Sequence, residues 1–365
     1  MKSIAICLLA LGAAAPTGPA EPAADGFVRL GGRPYAVDEL PEDLGEAPRV
    51  AVRAWTAWAD EHEYELDLEA DGRVLLVTPT GSRKRDKIRR KAAKVVKRFD
   101  ELLPAPTTTG DDGVATDWGA GSTPLDRDTA VLFVLRDPKD QRLLLDELAQ
   151  RHDYLAAWTK GAKNHIGFVL EQPLLGAYLE DAPILDEWRA ENELVHRLTE
   201  LLFLRRFGRQ PWWIQQGVAW NVELDLEKGL YCFPYRSEFI YAVEHDAWPD
   251  SVKGLYKRKG KDVKPLDLAL LSSWNRGSFH AQSAWTAFGA TNYLLAEHDD
   301  SFPLLLRDLL RHRLENGRVD NGDGTWQLVV GYEIPADELR AMLEARCGED
   351  VLEEAGTYLG KGKAK

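Results

Sequence analysis

The sequence predicts an α+β protein in which a small mixed α/β N-terminal portion is followed by a mostly helical domain. Short apolar or alternating runs, typical of strands, occur in the first half of the chain, and longer segments with apolar residues at helical spacing fill the second half. Hydrophobic residues make up 44% of the 365 residues and charged residues 29%, which is typical of a chain that buries a large core. The formal net charge of −13 argues against general binding to nucleic-acid backbones, because that requires clustered basic residues.

The first 20 residues have the pattern of a cleaved signal peptide. A basic residue precedes an apolar run at residues 4–15 that is too short to cross a bilayer, and small residues favour cleavage after Ala20. We therefore expect a secreted or periplasmic protein without an integral membrane segment in its mature form. The two cysteines that remain, Cys232 and Cys347, are compatible with one disulfide in an oxidising compartment or with two buried thiols.

Residues 26–105 form the predicted N-terminal portion, with helices alternating with strands. The predicted elements are a helix at 48–60, strands at 63–68 and 73–78, and a helix at 82–103. Ten Lys or Arg residues lie between Arg83 and Arg98 on this last helix. They are either a patch for anions or nucleic acid or a solvated helix face, and the second interpretation is favoured because charge runs on helices are usually solvated.

Residues 106–128 are rich in Gly, Pro, Thr and Asp and predict a linker or long loop. The remaining domain spans 129–360. Its predicted elements are strands at 130–135 and 165–170 and helices at 139–150, 184–207, 211–225, 281–297, 302–314 and 336–345.

Candidate catalytic chemistry lies in the window from Glu191 to Glu223. Asn192 and His196 are four residues apart and therefore share one helix face. In H-E-x-x-H zinc peptidases this spacing lets two ligands hold one metal ion, while the Glu between them is the general base. Here the five residues are N-E-L-V-H, so that Glu193 and His196 match the motif and Asn192 stands at the first ligand position.

Two further segments extend the similarity. Residues 213–219 read WIQQGVA and resemble the W-L-x-E-G-x-A segment that supplies the third zinc ligand in gluzincins, with Gln216 at the ligand position, 20 residues after His196. Residues 278–285, SFHAQSAW, resemble the start of a later helix of that family. Residues 130–360 thus resemble the peptidase MA-like superfamily of thermolysin-type gluzincin metallopeptidases, in particular its secreted bacterial domains of unknown function. The resemblance implies a zincin fold for the mostly helical domain.

The two substituted ligand positions determine the functional expectation. The amides of Asn192 and Gln216 are weak zinc donors, so we expect no tight catalytic zinc and no cofactor. The first hypothesis is an exported, catalytically inactive homologue whose former active-site cleft binds peptide or a protein partner, with Trp212 and Trp213 as a wall of the cleft. His280 is a candidate substrate-facing group, although a structural role is more common for a His at a helix start.

Two alternatives remain open from the sequence. One is an active zinc metallopeptidase or other hydrolase in which His196 is joined by non-standard ligands, for which the candidates are His280, His165, Glu200 and Glu223. The other is a structural envelope interaction protein that uses the Trp-rich cleft or the basic helix. No nucleic-acid partner is expected in any of the three.

Overall fold

The computed structural model describes residues 26–104, 128–181, 189–233, 246–257, 264–274, 280–320, 326–329 and 332–364. The first half contains β1 (Phe27–Leu30), β2 (Arg33–Ala36), α1 (Glu46–Glu61), β3 (Tyr64–Glu69), β4 (Val74–Pro79), α2 (Arg85–Leu102), β5 (Ala130–Leu135), α3 (Pro138–Arg151), α4 (Ala156–Ala162), β6 (Gly167–Leu170) and β7 (Leu175–Leu179). The second half contains α5 (Ala190–Phe207), α6 (Trp212–Glu227), α7 (Trp248–Tyr256), α8 (Leu268–Ser273), α9 (Ala281–Glu297), α10 (Phe302–Asn316), β8 (Arg318–Asp320), β9 (Trp326–Leu328), α11 (Ala336–Cys347) and α12 (Val351–Gly360).

Seven strands form one mixed sheet in the order β2-β1-β3-β4-β5-β7-β6. The pairs β1–β3, β4–β5 and β5–β7 are parallel, and the pairs β1–β2, β3–β4 and β6–β7 are antiparallel. Because β4 pairs with β5, the predicted N-terminal portion at 26–105 and the region that follows residue 129 share this sheet.

Helices cover both faces of the sheet. Successive residues of a strand point to opposite faces, and in β4 Val74 and Leu76 join one core while Leu75 and Val77 join the other. α1 and α3 pack on the second of these cores. α2 and α5 pack on the first, which continues into the helices of the second half. α5 is therefore enclosed between the sheet and the remaining helices.

The helices α6 and α9 approach each other closely at Gly217 of α6. A Cβ atom at this position would lie 2.4 Å from Thr291 Oγ1 and 2.6 Å from the Ala287 carbonyl oxygen. Asn221, one turn further along α6, donates through Nδ2 to Thr291 Oγ1 at 2.9 Å and to the Phe288 carbonyl at 3.0 Å. The glycine of the WIQQGVA segment thus has a packing role of its own.

The predicted α+β class is confirmed, and each helix and strand predicted within the described residues is present, with ends displaced by a few residues. The predicted signal peptide at 1–20 lies outside the described residues, and so does the predicted linker at 106–128 apart from its last residue. Cys232 and Cys347 are both free thiols. Among the described residues, each helix is too short or too polar to cross a membrane.

Candidate functional site

His196 lies at the centre of a polar network between α5 and α6. Its side chain is fully buried. Nδ1 lies 2.9 Å from Glu223 Oε2, and Nε2 lies 3.3 Å from Gln216 Oε1. Both ring nitrogens therefore lie beside side-chain oxygens of α6.

Glu223 joins α6 to the chain that follows it. Its Oε1 accepts from Asn192 Nδ2 at 2.8 Å and from the backbone N–H groups of Tyr231 and Cys232 at 2.6 and 3.1 Å. Asn192 Nδ2 also donates to the Gly229 carbonyl at 2.6 Å. The Glu223 carboxylate is thus bound by four groups from two parts of the chain, α5 and the segment after α6, because His196 contacts the other oxygen.

Arg197 compensates the remaining buried acids. Its Nε donates to Glu193 Oε2 at 3.0 Å, its Nη1 to Glu200 Oε2 at 2.9 Å and its Nη2 to the Phe233 carbonyl at 3.2 Å. The other Glu200 oxygen accepts from Gln215 Nε2 at 3.1 Å and from Gln216 Nε2 at 2.5 Å. Three buried glutamates therefore share one interior with the Arg197 guanidinium and the His196 ring.

Glu193, at the general-base position of the motif, is in an unusual environment. Its side chain is fully buried, and Oε1 has no hydrogen-bond partner among the described residues. Burial raises the pKa of Glu193, while the Arg197 guanidinium and the neighbouring Cys232 thiol act in the opposite direction without cancelling it. Burial therefore disfavours the ionised carboxylate that a general base needs.

The helix α5, which carries Asn192, Glu193, His196, Arg197 and Glu200, is buried around nearly its whole circumference. Fifteen of the 18 residues of α5 are buried, which is typical of a helix at the centre of a domain. Buried polar side chains at Asn192, His196 and Glu200 are costly in such a place unless they are hydrogen-bonded. The network satisfies almost all of them.

The residues at the gluzincin-type positions do not fit a catalytic zinc ion. Zinc requires anionic or neutral imidazole donors and, for catalysis, an open position for water. The amide nitrogens of Asn192 and Gln216 donate to acids, and the ring nitrogens of His196 face acceptors. These atoms are thus engaged with each other, and none of the three side chains is accessible from outside.

A different set of potential ligand atoms lies beside this network. Atoms of His196, Glu223 and Cys232 lie within 4.8 Å of one another, and all three residues are buried. Burial raises the pKa of the Cys232 thiol well above its ordinary value. Glu223 was a candidate ligand from the sequence, whereas Cys232 was considered only for a disulfide.

The remaining predicted site residues lie apart from the network. His280 is exposed and precedes α9 as its N-cap residue. His165 lies before β6, in edge contact with Trp158 at 6.2 Å between ring centroids. Trp213 is buried and Trp212 is half-buried, and both line one cavity.

That cavity has a volume of about 330 Å³. It is walled by five aromatic residues: Trp158, Trp212, Trp213, Trp274 and Tyr332. Gln215 lines it as well and also donates to Glu200, so one residue contacts both the cavity and the network. The volume is at the lower end of the range for small-molecule sites, about 300–1,000 Å³.

Two charged residues of the cavity wall, Arg209 and Arg313, pair with Glu171 behind it. Arg313 donates from Nη1 to Glu171 Oε1 at 2.8 Å and from Nη2 to Glu171 Oε2 at 3.1 Å. Arg209 Nε lies 3.4 Å from Glu171 Oε2. Burial by itself raises the pKa of Glu171, but the two guanidiniums outweigh it and lower the pKa from 4.5 to about 2.

Neither protein-family models nor curated proteins give a match when compared with this chain.

Proposed function

We propose that this protein is an exported, non-catalytic relative of gluzincin metallopeptidases whose role is to bind a ligand. The N-E-L-V-H and WIQQGVA segments support the relationship, and the leader at residues 1–20 supports export. The observation that carries the non-catalytic role is that both ring nitrogens of His196 face acceptor oxygens, Glu223 Oε2 and Gln216 Oε1. Both nitrogens that could bind a metal ion thus already have a hydrogen-bonding neighbour inside the protein.

Metal analysis combined with a peptidase assay tests the non-catalytic role. The purified mature protein should contain far less than one zinc ion per chain and should not cleave peptide libraries. One zinc ion per chain that only a chelator removes, together with cleavage that is lost in Glu193→Gln, would contradict the proposal. Glu191→Gln is the matched control, because Glu191 is an exposed neighbour on the same helix that pairs with Lys87.

The cavity beside α6 is where we propose that the ligand binds, because it combines aromatic walls with a volume suited to a small molecule. Calorimetric titration with 4-phenylbutan-1-ol, as an apolar probe, should show binding. Ile334→Trp should abolish it by filling the cavity from a half-buried lining position. Val50→Trp is the control, since Val50 is 52% exposed and does not line the cavity. Equal binding by both variants would contradict this location.

A second candidate function is a protein that holds a metal ion through His196, Glu223 and Cys232. The observation in its favour is that atoms of these three side chains lie within 4.8 Å of one another, and imidazole, carboxylate and thiolate are all zinc donors. A metal ion here would be structural, because the three residues are buried. Metal retained in the wild type and lost in Cys232→Ser, but not in Cys347→Ser, would favour this candidate over the first.

A further inference from the structure

The polar atoms of the cavity wall indicate what kind of ligand the cavity takes. Four buried polar atoms of lining residues have no hydrogen-bond partner among the described residues: Gln210 Oε1, Trp213 Nε1, Ser272 Oγ and Arg313 Nε. Unpaired buried polar atoms are costly and rare in folded proteins. Four of them around one cavity are therefore a sign of a ligand that pairs with them.

Donors predominate in this set. Trp213 Nε1 and Arg313 Nε can only donate, Ser272 can donate or accept, and only Gln210 Oε1 is restricted to accepting. Such a wall suits a ligand group that is rich in acceptor oxygens. Among these, a carboxylate makes a charge-assisted bond to a guanidinium N–H, which is roughly twice as strong as a bond between neutral groups.

The charges around Arg313 favour an anion further. Arg313 is 6% exposed, so water screens its charge only weakly. Its carboxylate partner, Glu171, is shared with Arg209, and Arg313 therefore has no acid to itself. The acidic lining residue Glu333 is exposed at the rim, where its effect is screened by solvent.

We propose that this cavity binds a small organic carboxylate, with its apolar or aromatic body against the tryptophans and its acid group at Arg313. This inference rests on the proposed binding role of the cavity and adds the chemical class of the ligand. The side-chain oxygen of Gln210, Oε1, would accept from a hydroxyl or amide donor on the same ligand molecule. The aromatic walls suit a planar or alkyl body, since large apolar faces provide most of the binding area in such sites.

Two probes with the same body and different end groups test the inference. In calorimetric titrations of the mature protein, 4-phenylbutyrate should bind at least about tenfold more tightly than 4-phenylbutan-1-ol, because only the acid makes a charge-assisted bond. Equal affinities would overturn the carboxylate assignment while leaving the binding role intact. Failure of both probes to bind up to about 10 mM would contradict both.

Variants assign the acid group to Arg313. Arg313→Lys keeps a cation beside Glu171 and removes Nε, so it should weaken 4-phenylbutyrate about tenfold and leave the alcohol unchanged. Arg311→Lys is the matched control on the same helix, because Arg311 does not line the cavity and lies near Asp308. Should Arg313→Lys fail to fold, Trp213→Phe removes the other obligate donor and should weaken the acid more than the alcohol, because the bond to the charged acceptor is the stronger one. An unchanged acid affinity in the folded Arg313 variant, or an equal loss in Arg311→Lys, would overturn the assignment.

Discussion

The helices α2 and α5 are of equal length, 18 residues each, and contact one another, yet they place their charges in opposite ways. α2 buries one apolar stripe and pairs its basic residues with acids near the surface, including Glu69, Glu191 and Asp225. α5 is buried on nearly all sides, and its charged residues are held inside the protein. The same residue types therefore have different energetic consequences in the two helices.

The difference shows which polar residues the fold alone explains. Apart from Arg85, the charges on α2 that pair with acids lie at or near the surface, as expected for a solvated helix face. Those on α5 were removed from water at a large cost, which the network offsets only as long as it is complete. The interpretation of the basic run as a solvated face agrees with these pairings of its exposed members. Arg85 differs from them because it is buried beside Asp67.

Arg197→Met should have the largest effect on stability. It leaves Glu193 and Glu200 buried without their cation, and breaking a buried ion pair on one side costs about 3–5 kcal/mol. Urea denaturation measures the change in the free energy of unfolding. Arg98→Met on α2 removes an ion pair whose members are 35% and 42% exposed and should cost less than about 1 kcal/mol. Similar losses in both variants would remove the contrast between the two helices.

Glu171 is intermediate in burial, and its pairing with Arg209 and Arg313 makes the stability of the fold depend on pH. The folded-state pKa is lowered to about 2 from 4.5, so the stabilisation is complete above pH 4.5 and is lost as the pH falls toward 2. A pKa difference of this size between the folded and unfolded states corresponds to about 3 kcal/mol in the free energy of unfolding. Acid titration of stability should show this loss in the wild type and not in Glu171→Gln, which should be less stable at pH 7. If Glu171→Gln lost stability in acid as the wild type does, Glu171 would not be the group responsible for the pH dependence.

Gly217→Ala tests the packing around the network without changing a charge. The added Cβ would lie 2.4 Å from Thr291 Oγ1 and 2.6 Å from a backbone oxygen, and overpacking of this kind costs about 1–3 kcal/mol. The control is Gly254→Ala in α7, where no atom lies within 4 Å of the new Cβ and helix propensity should add up to about 1 kcal/mol. Thermal denaturation should therefore shift in opposite directions for the two variants, and a shared direction would contradict the close approach.

Lys87→Ala should have the smallest effect. Lys87 and Glu191 are 59% and 40% exposed, and exposed pairs of this kind contribute about 0–1 kcal/mol. The small loss should disappear at about 1 M salt, where screening acts over about 3 Å. A loss that persists at high salt would mean that α2 also depends on unscreened charges.

Much of the fold could be predicted from local patterns. The stripe of Ile88, Ala92 and Phe99 predicts α2, and the continuous apolar run of β5 predicts a buried strand. By contrast, β7 consists of Leu-Gly-Ala-Tyr-Leu, which contains no β-branched residue. It is a strand because β5 and β6 pair with it on either side, and such tertiary pairing does not show in local propensity.

The site could be predicted only in part. Spacing along one helix places Asn192 and His196 on a shared face, and both are indeed in the network. The partner at His196 Nδ1, Glu223, depends on how α5 and α6 pack, so spacing left it as one candidate among several. The pairing of Glu171 with Arg313 joins residues 142 positions apart. No local pattern connects them, and the role of Arg197 was not recognised because one Arg in a helix resembles any surface charge.

The stacking of Trp220 on Trp274 gives the protein a built-in optical signal. Their rings are 5.8 Å apart at an interplanar angle of 17°. Trp274 lines the cavity, while Trp220 contacts the ring of His196 and donates to the Cys232 carbonyl. Two indoles in this geometry are coupled chromophores, so near-ultraviolet circular dichroism should report occupancy of the cavity and disturbance of the His196 network through the same band.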